Sequence, residues 1–177
     1  MNKFLAVSIF LVANLFLKSQ PIGKLFPTTT GQTLEEKKVT IPDNTKNKYT
    51  LIAMAYSSDA ENDLSTWLNP IYNKFIVKTG MFDSEYDINL FFVPMFSSVN
   101  MATANLAEKR MKKEVDKQIH SYVLFYKGDI EPYKNELKMT QKDTPYIFLL
   151  DKEGKIVYTT NGSFSEEKIE AIEDKIM

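Results

Sequence analysis

The residues that could support chemistry are few in this chain, and their types exclude much of it. The 177 residues include no cysteine and one histidine, His120. Without cysteine there can be no thiol nucleophile, dithiol exchange, cysteine zinc site or iron–sulfur cluster. One histidine cannot form a multi-histidine metal site within one chain. The composition therefore excludes more reactions than it suggests, and we predict no catalytic residue, no metal and no cofactor.

Two serines, Ser57 and Ser58, stand where a helix is predicted to begin. A serine nucleophile needs an adjacent base, and His120 lies before a later strand, in no recognisable triad motif. Ser58 and Glu61 have the S-x-x-E spacing of a capping box, so we interpret Ser58 as the helix cap. His120 is interpreted as a loop or strand-end residue.

The acidic residues of the same segment also have a structural interpretation. The helix dipole favours negative charge in the first turn, where Asp59, Glu61 and Asp63 lie. The segment lacks the glycine and the distal glutamate of a calcium-binding loop. The basic residues near Arg110 are interspersed with acids, which is typical of the solvated face of a helix.

The N-terminus has the pattern of a signal peptide, which we place at residues 1–19. Lys3 precedes the apolar run Phe4–Leu17, which is shorter than the about 20 residues of a membrane span. Retention as a membrane anchor is the alternative. Removal leaves 20 basic and 23 acidic residues, a balance that argues against nucleic-acid binding. We expect a periplasmic or secreted protein that contacts a membrane only if this leader is retained.

The remaining chain predicts a linker at 20–34 and one α/β domain at 35–177. The elements follow the order β–β–α–β–α–β–α–β–β–α. This alternation predicts a mostly parallel sheet with an antiparallel C-terminal hairpin and helices on both faces. Strands are expected at 35–41, 50–56, 87–96, 122–126, 146–150 and 155–159. Helices are expected at 58–78, with a kink or break at Pro70, at 101–117, at 130–139 and after Ser165. In the second helix we expect Leu106, Met111 and Val115 to face inward.

The late segment Thr144-Pro145-Tyr146-Ile147-Phe148-Leu149-Leu150, followed by an Asp-x-x-Gly turn and a second strand, resembles the thioredoxin-like superfamily. The resemblance covers about residues 34–177. The spacing from Ser58 to Pro145 is similar to that of the larger branches, including TlpA-like, peroxiredoxin-like and copper-chaperone-like proteins. It implies that Pro145 is a cis-proline beside the former active-site loop, where Thr144 would present its backbone to an extended chain.

The missing Cys-x-x-Cys motif can be placed in two registers. In the first, Ser58-Asp59-Ala60-Glu61 occupies it, directly after a strand. In the second, Trp67-Leu68-Asn69-Pro70-Ile71 replaces a Trp-Cys-x-Pro-Cys motif. The first register puts Ser58 near Pro145, and the second puts Leu68 or Ile71 there. We favour the first, because the family's motif follows its strand within a few residues.

A degenerate member without redox cysteines is expected to act by binding another exported or membrane protein, as an assembly factor or chaperone. The pattern from Thr50 to Pro70 is also distantly similar to the thioredoxin-like assembly factor of mitochondrial ATP synthase. The candidate protein-binding face consists of Ser57, Ser58, Asp59, Glu61, Thr144 and Pro145. The alternatives are an oxidoreductase or peroxidase-related enzyme with a non-cysteine site, and a membrane-tethered accessory domain.

Overall fold

The computed structural model describes residues 21–80, 86–97 and 101–177, so the predicted signal peptide lies outside the described residues. The strands in these ranges are β1 (Thr29–Thr33), β2 (Lys38–Ile41), β3 (Tyr49–Ala55), β4 (Ile88–Ser97), β5 (Leu124–Gly128), β6 (Tyr146–Leu150) and β7 (Ile156–Asn161). The α-helices are α1 (Ser58–Tyr72), α2 (Met101–Glu114), α3 (Glu131–Glu136) and α4 (Glu166–Ile176). None of the helices in the described part of the chain has the length and apolar character needed to span a membrane.

All seven strands form one sheet in the order β2-β1-β5-β4-β3-β6-β7. Only β3–β4 and β4–β5 are parallel among the described pairs, whereas β1–β2, β1–β5, β3–β6 and β6–β7 are antiparallel. The expectation of a mostly parallel sheet is therefore wrong. It failed because an additional strand, β1, runs antiparallel to both neighbours and because β6 returns antiparallel to β3. The C-terminal hairpin is confirmed.

The additional strand lies inside the segment predicted as a linker. Residues 29–33 pair with β2 on one side and β5 on the other, and the flanking Phe26 and Leu34 are buried. The prediction of a linker through residue 34 is therefore wrong for this part of the chain. The segment is rich in threonine, and β-branched residues are well suited to strands.

Helices cover both faces of the sheet, as predicted. Apolar residues of α1 and α4 share one buried cluster with alternate residues of β3, β4 and β6, and α2 packs on its margin. The other cluster is formed by the opposite residues of the same strands with Tyr133 of α3 and with Leu137 and Met139 after it. Met111 of α2 and Val115 directly after the helix pack against the core, but Leu106 is 69% exposed. The expectation that Leu106 faces inward is wrong because the helix buries a narrower stripe, centred on Ala104.

Helix α1 follows β3 directly and carries the candidate site at its first turn. Its buried stripe of Leu64, Trp67 and Ile71 matches the predicted periodicity. The helix runs through Pro70 without a break and changes to a π-helical turn at Asn73–Val77, where Lys78 takes a left-handed conformation with φ 61°. The predicted end near residue 78 is confirmed.

Candidate functional site

The cap of α1 is Ser57, not Ser58. Ser57 has extended backbone angles, and its hydroxyl accepts a hydrogen bond from the Ala60 N–H at 3.1 Å. The same hydroxyl donates to the carbonyl oxygen of Lys142 at 3.1 Å. The capping-box interpretation of Ser58 is therefore wrong by one position, because the chain leaves β3 one residue earlier than the S-x-x-E spacing suggests. Ser58 is exposed.

A cavity of about 300 Å³ lies at this end of α1. Its lining includes Ser57, Ser58, Glu61 and Lys142, together with Met95 and Phe96 at the end of β4. The cavity is formed where the chain turns from β3 into α1 and where the loop before β6 crosses that turn. It offers hydroxyl groups, one carboxyl group and an ammonium group around an apolar floor, which suits binding of a mixed polar and apolar segment.

Tyr56 anchors the other side of the same cavity. Its hydroxyl donates to the Met139 carbonyl at 2.8 Å, and the Lys134 ammonium lies 5.6 Å from its ring centroid. Burial raises the pKa of Tyr56 to about 12, and the nearby acidic groups Tyr146, Asp143 and Glu131 add to the increase. Tyr56 is therefore a neutral hydrogen-bond donor that holds the wall of the cavity.

Glu61 stands between this cavity and a second one of about 230 Å³ between α1 and α2. The second cavity is mostly apolar and is lined by Leu64, Leu68, Phe92, Met111 and Val115, among others. Burial raises the pKa of the Glu61 carboxyl, and Arg110, whose guanidinium lies 3.7 Å away, partly opposes this increase.

The structure brings together only part of the predicted face. Ser57, Ser58 and Glu61 line one cavity, whereas Asp59 is exposed in the first turn of α1. Thr144 and Pro145 are not among the residues lining this cavity. Lys142, three residues before Pro145, reaches it instead.

The peptide bond at Pro145 differs from what the resemblance implied. Among the described residues, the cis peptide bond is Ile41–Pro42, and Thr144–Pro145 is trans. The Pro145 carbonyl accepts a hydrogen bond from the Gly162 N–H at 3.0 Å. Pro145 directly precedes β6, and its carbonyl is already used within the hairpin.

The residues of the second register lie mainly in the core. Trp67 is fully buried, and its indole N–H donates to the Gly162 carbonyl at 2.8 Å. Ile71 is fully buried in the core, and Leu68 lines the cavity between α1 and α2. This part of the helix packs the interior, whereas the start of α1 contacts the loop before β6 through Ser57 and Lys142.

His120 lies apart from this face. It is buried in a 3₁₀ turn, Lys117–Tyr122, and its Nε2 atom lies 3.0 Å from the Val115 carbonyl oxygen. No group of three or more histidine, cysteine or acidic residues within the described ranges is arranged to hold a metal ion.

Tyr56 and Lys142 are the residues of the face that sequence reasoning missed. The sequence pattern predicts Tyr56 as the last residue of a strand. Its position directly before the helix cap is the signal that could have identified it as part of the site. Lys142 carries no such pattern, because its contact with Ser57 spans 85 residues.

Solved structures similar to this chain share the thioredoxin-like fold. The exposed lipoprotein thioredoxin Etrx1 from Streptococcus pneumoniae is 15% identical, with 84% of this chain and 98% of that chain covered and a TM-score of 0.56. StoA from Bacillus subtilis is 15% identical, with coverage of 85% and 97% and a TM-score of 0.50. A DsbF homologue from Corynebacterium diphtheriae is 13% identical, with coverage of 86% and 88% and a TM-score of 0.51. The comparison with curated proteins found no match.

These similarities confirm the predicted thioredoxin-like fold, and the chain contains no cysteine. A comparison with protein families is more specific than the fold. The model of the ATP10 protein matches residues 9–175, nearly the whole chain. The chain therefore belongs to the ATP10 protein family, a family of assembly factors.

Proposed function

We propose that this protein is a non-catalytic thioredoxin-like assembly factor or chaperone that binds another exported or membrane protein. The binding surface is the face at the start of α1, formed by Ser57, Ser58, Asp59 and Glu61, with Lys142 beside them. Thr144 adjoins this face through the loop that contains Lys142. Pro145 contributes by directing that loop into β6.

The observation that carries this proposal is the cavity at the start of α1, where the family resemblance implies the Cys-x-x-Cys motif would lie. Serines and a glutamate stand at the start of α1, and neither side chain type can exchange disulfides. The cavity is about 300 Å³ in volume and includes Lys142 of the loop that leads to β6. A cavity without thiols supports binding rather than thiol redox catalysis, and membership in an assembly-factor family supports the same conclusion.

We further propose that the protein acts outside the cytoplasm after removal of residues 1–19. Lys3 and the apolar run Phe4–Leu17 support this location. A relative in fold, Etrx1, is an exposed lipoprotein. N-terminal sequencing of the exported protein tests this part directly, because a retained leader would instead support a membrane-tethered accessory domain.

Affinity capture from the membrane and envelope fractions of the native cell tests the binding face. The baits are the full chain and the chain with Ser58→Lys and Thr144→Lys. A chain with Asn69→Lys is the matched control, because Asn69 is exposed on the same helix and lines neither cavity of α1. All baits are first shown to be folded by circular dichroism.

We expect the wild-type chain and the Asn69→Lys chain to capture a common partner, and the double variant to capture none of it. Equal capture by all three baits would place the interaction on another surface. A disulfide-reduction or peroxide-reduction assay is run in parallel, and activity in either would support the enzymatic alternative.

A further inference from the structure

We propose that the edge of β7, which no strand within the described ranges covers, is a docking strand for an extended, acidic segment of a partner protein. This surface is distinct from the face at the start of α1. The segment would add to the sheet by main-chain hydrogen bonds and would place one carboxylate in a cavity beside the edge.

The first part of the β7 edge is already bonded by a turn at residues 21–24. The Gly23 N–H donates to the Ile156 carbonyl at 2.7 Å, and the Ile156 N–H donates to the Lys24 carbonyl at 2.9 Å. Leu25 and Lys155 form an antiparallel bridge in the same stretch. The outward groups of Ile156 are therefore used within the chain, and an added strand would bond beyond them, toward the end of β7.

The rest of the edge presents main-chain groups away from the sheet. The Gly162 N–H donates to the Pro145 carbonyl. The main-chain groups of every second residue toward the start of β7, counted from Gly162, therefore also face β6. Thr159 and Asn161, which lie between them, therefore point outward. Lys168 Nζ donates to the Asn161 carbonyl at 2.8 Å. The remaining outward groups are the N–H and C=O of Thr159 and the N–H of Asn161.

Edge strands are commonly protected by charged side chains or proline. Both ends of the β7 edge follow that rule, since Lys155 precedes β7 and the Lys168 ammonium binds the Asn161 carbonyl. The stretch Val157–Thr160 between them has neither a charge nor a proline. The unprotected part of this edge is therefore short and is centred on the main-chain groups of Thr159.

A cavity of about 190 Å³ beside this edge indicates the chemistry of the segment. Thr159, Asn161 and the facing Tyr146 line it together with Lys138, which is its charged side chain at neutral pH. A carboxylate from an added strand would meet that ammonium group. A second copy of β7 would not supply it, because Val157–Asn161 contains no acid. The cavity therefore favours a partner segment over self-association.

Hydrogen exchange with designed peptides tests the proposal on the full chain in mild detergent. The probes are three ten-residue peptides of alternating threonine and valine with Glu, Gln or Lys at the fifth position. Each is N-methylated along one edge so that it cannot self-associate. We expect the Glu peptide to slow exchange at the Thr159 and Asn161 amides about tenfold. It should bind about twofold to fivefold tighter than the Lys peptide, the range of a cross-strand charge pair.

Charge reversal supplies the decisive control. Lys138 has φ 59°, which aspartate tolerates better than most residues, so Lys138→Asp should fold and should bind the Lys peptide best. Lys152→Glu, an exposed lysine outside the cavity, should keep the wild-type order. The proposal is overturned if no peptide slows exchange at Thr159 or if the Lys138→Asp chain keeps the wild-type order. Protection that appears without peptide and rises with protein concentration would overturn it in favour of a second copy.

Discussion

The Ser57 hydroxyl joins the start of α1 to the Lys142 carbonyl, a residue 85 positions later in the chain. The same hydroxyl accepts from the Ala60 N–H and so caps the helix. One side chain therefore both begins α1 and holds the loop before β6 against it. The shape of the cavity at this face depends on that double contact.

Replacing Ser57 by alanine removes both hydrogen bonds. We expect Ser57→Ala to lower the free energy of unfolding by about 1–2 kcal/mol, the usual cost of losing a cap. Ser58→Ala is the matched control and should change it by less than about 0.5 kcal/mol, because Ser58 is exposed. Urea unfolding followed by circular dichroism measures both. A larger loss for Ser58→Ala than for Ser57→Ala would show that the cap is assigned to the wrong serine.

Gly31 tests whether β1 belongs to the sheet. A Cβ atom at Gly31 would lie 2.5 Å from the Phe125 carbonyl oxygen and 2.9 Å from Leu124 Cγ. Because the backbone of β5 cannot easily move away, we expect Gly31→Ala to destabilise the fold by about 1–3 kcal/mol. Thr30→Ala on the same strand, where the side chain is exposed, should cost less than about 1 kcal/mol. If thermal unfolding shows no difference between the two variants, residues 29–33 do not pair as a strand.

The two errors about the sheet, the unpredicted strand β1 and the strand directions, have different physical causes. The strand β3, the stripe of α1 and the hairpin at 146–161 were predictable, because their patterns are local and periodic. The strand β1 could not be predicted because its sequence, TTGQT, has no alternation of apolar and polar residues, although its hairpin with β2 is local. The parallel sheet was inferred from alternation of strands and helices, which does not determine the direction of every strand.

At the candidate site, the local features could be predicted and the long-range contacts could not. The position of the site at the start of α1 could be predicted from a strand that leads into a capped helix. The partners of that helix start could not, since Lys142 and Met139 contact Ser57 and Tyr56 only in the folded chain. The conformation at Pro145 was inferred from the family resemblance and not from this chain's residues, and there the chain differs.

Trp67 is predicted to stabilise the hairpin rather than to serve as a relic of a redox motif. Its N–H donates to the Gly162 carbonyl, and its ring packs edge-on against Phe164 at 5.4 Å. We expect Trp67→Phe to lower the free energy of unfolding by about 1–3 kcal/mol, because the carbonyl loses a buried partner. Tyr72→Phe removes an exposed, 3.4 Å contact to Gln118 and should cost less than about 0.5 kcal/mol. Equal stability of the two variants in urea would contradict this role.

Glu108 is expected to stabilise the fold at neutral pH and to lose that effect in acid. Its carboxylate accepts from Lys127 at 2.7 Å, which lowers its pKa below the ordinary 4.5, and Lys112 adds to the decrease. Stability from this group is therefore fully present above pH 4.5 and is lost as pH falls through the lower folded pKa. Glu108→Gln should cost up to about 1 kcal/mol at neutral pH. The difference in free energy of unfolding between this variant and the wild type should vanish in acid. Urea midpoints measured across the pH range check this, and a difference that does not change with pH would contradict the role of the pairing.

Glu61 should show the opposite dependence, because burial raises its pKa above 4.5. The folded chain then holds its proton more tightly than the unfolded chain, so stability falls as pH rises from 4.5 through the folded pKa. Glu61→Gln removes this ionisation. The variant should be more stable than the wild type at neutral pH, and the gain should shrink below pH 4.5, where both side chains are neutral. The lost pair with Arg110 is weak, since its atoms are 3.7 Å apart and the Arg110 side chain is 57% exposed. Urea midpoints measure the stability change of Glu61→Gln, and the Glu108→Gln chain is the control with the opposite expected change. A Glu61→Gln chain that is less stable than the wild type at neutral pH would show that the attraction of Arg110 outweighs the effect of burial.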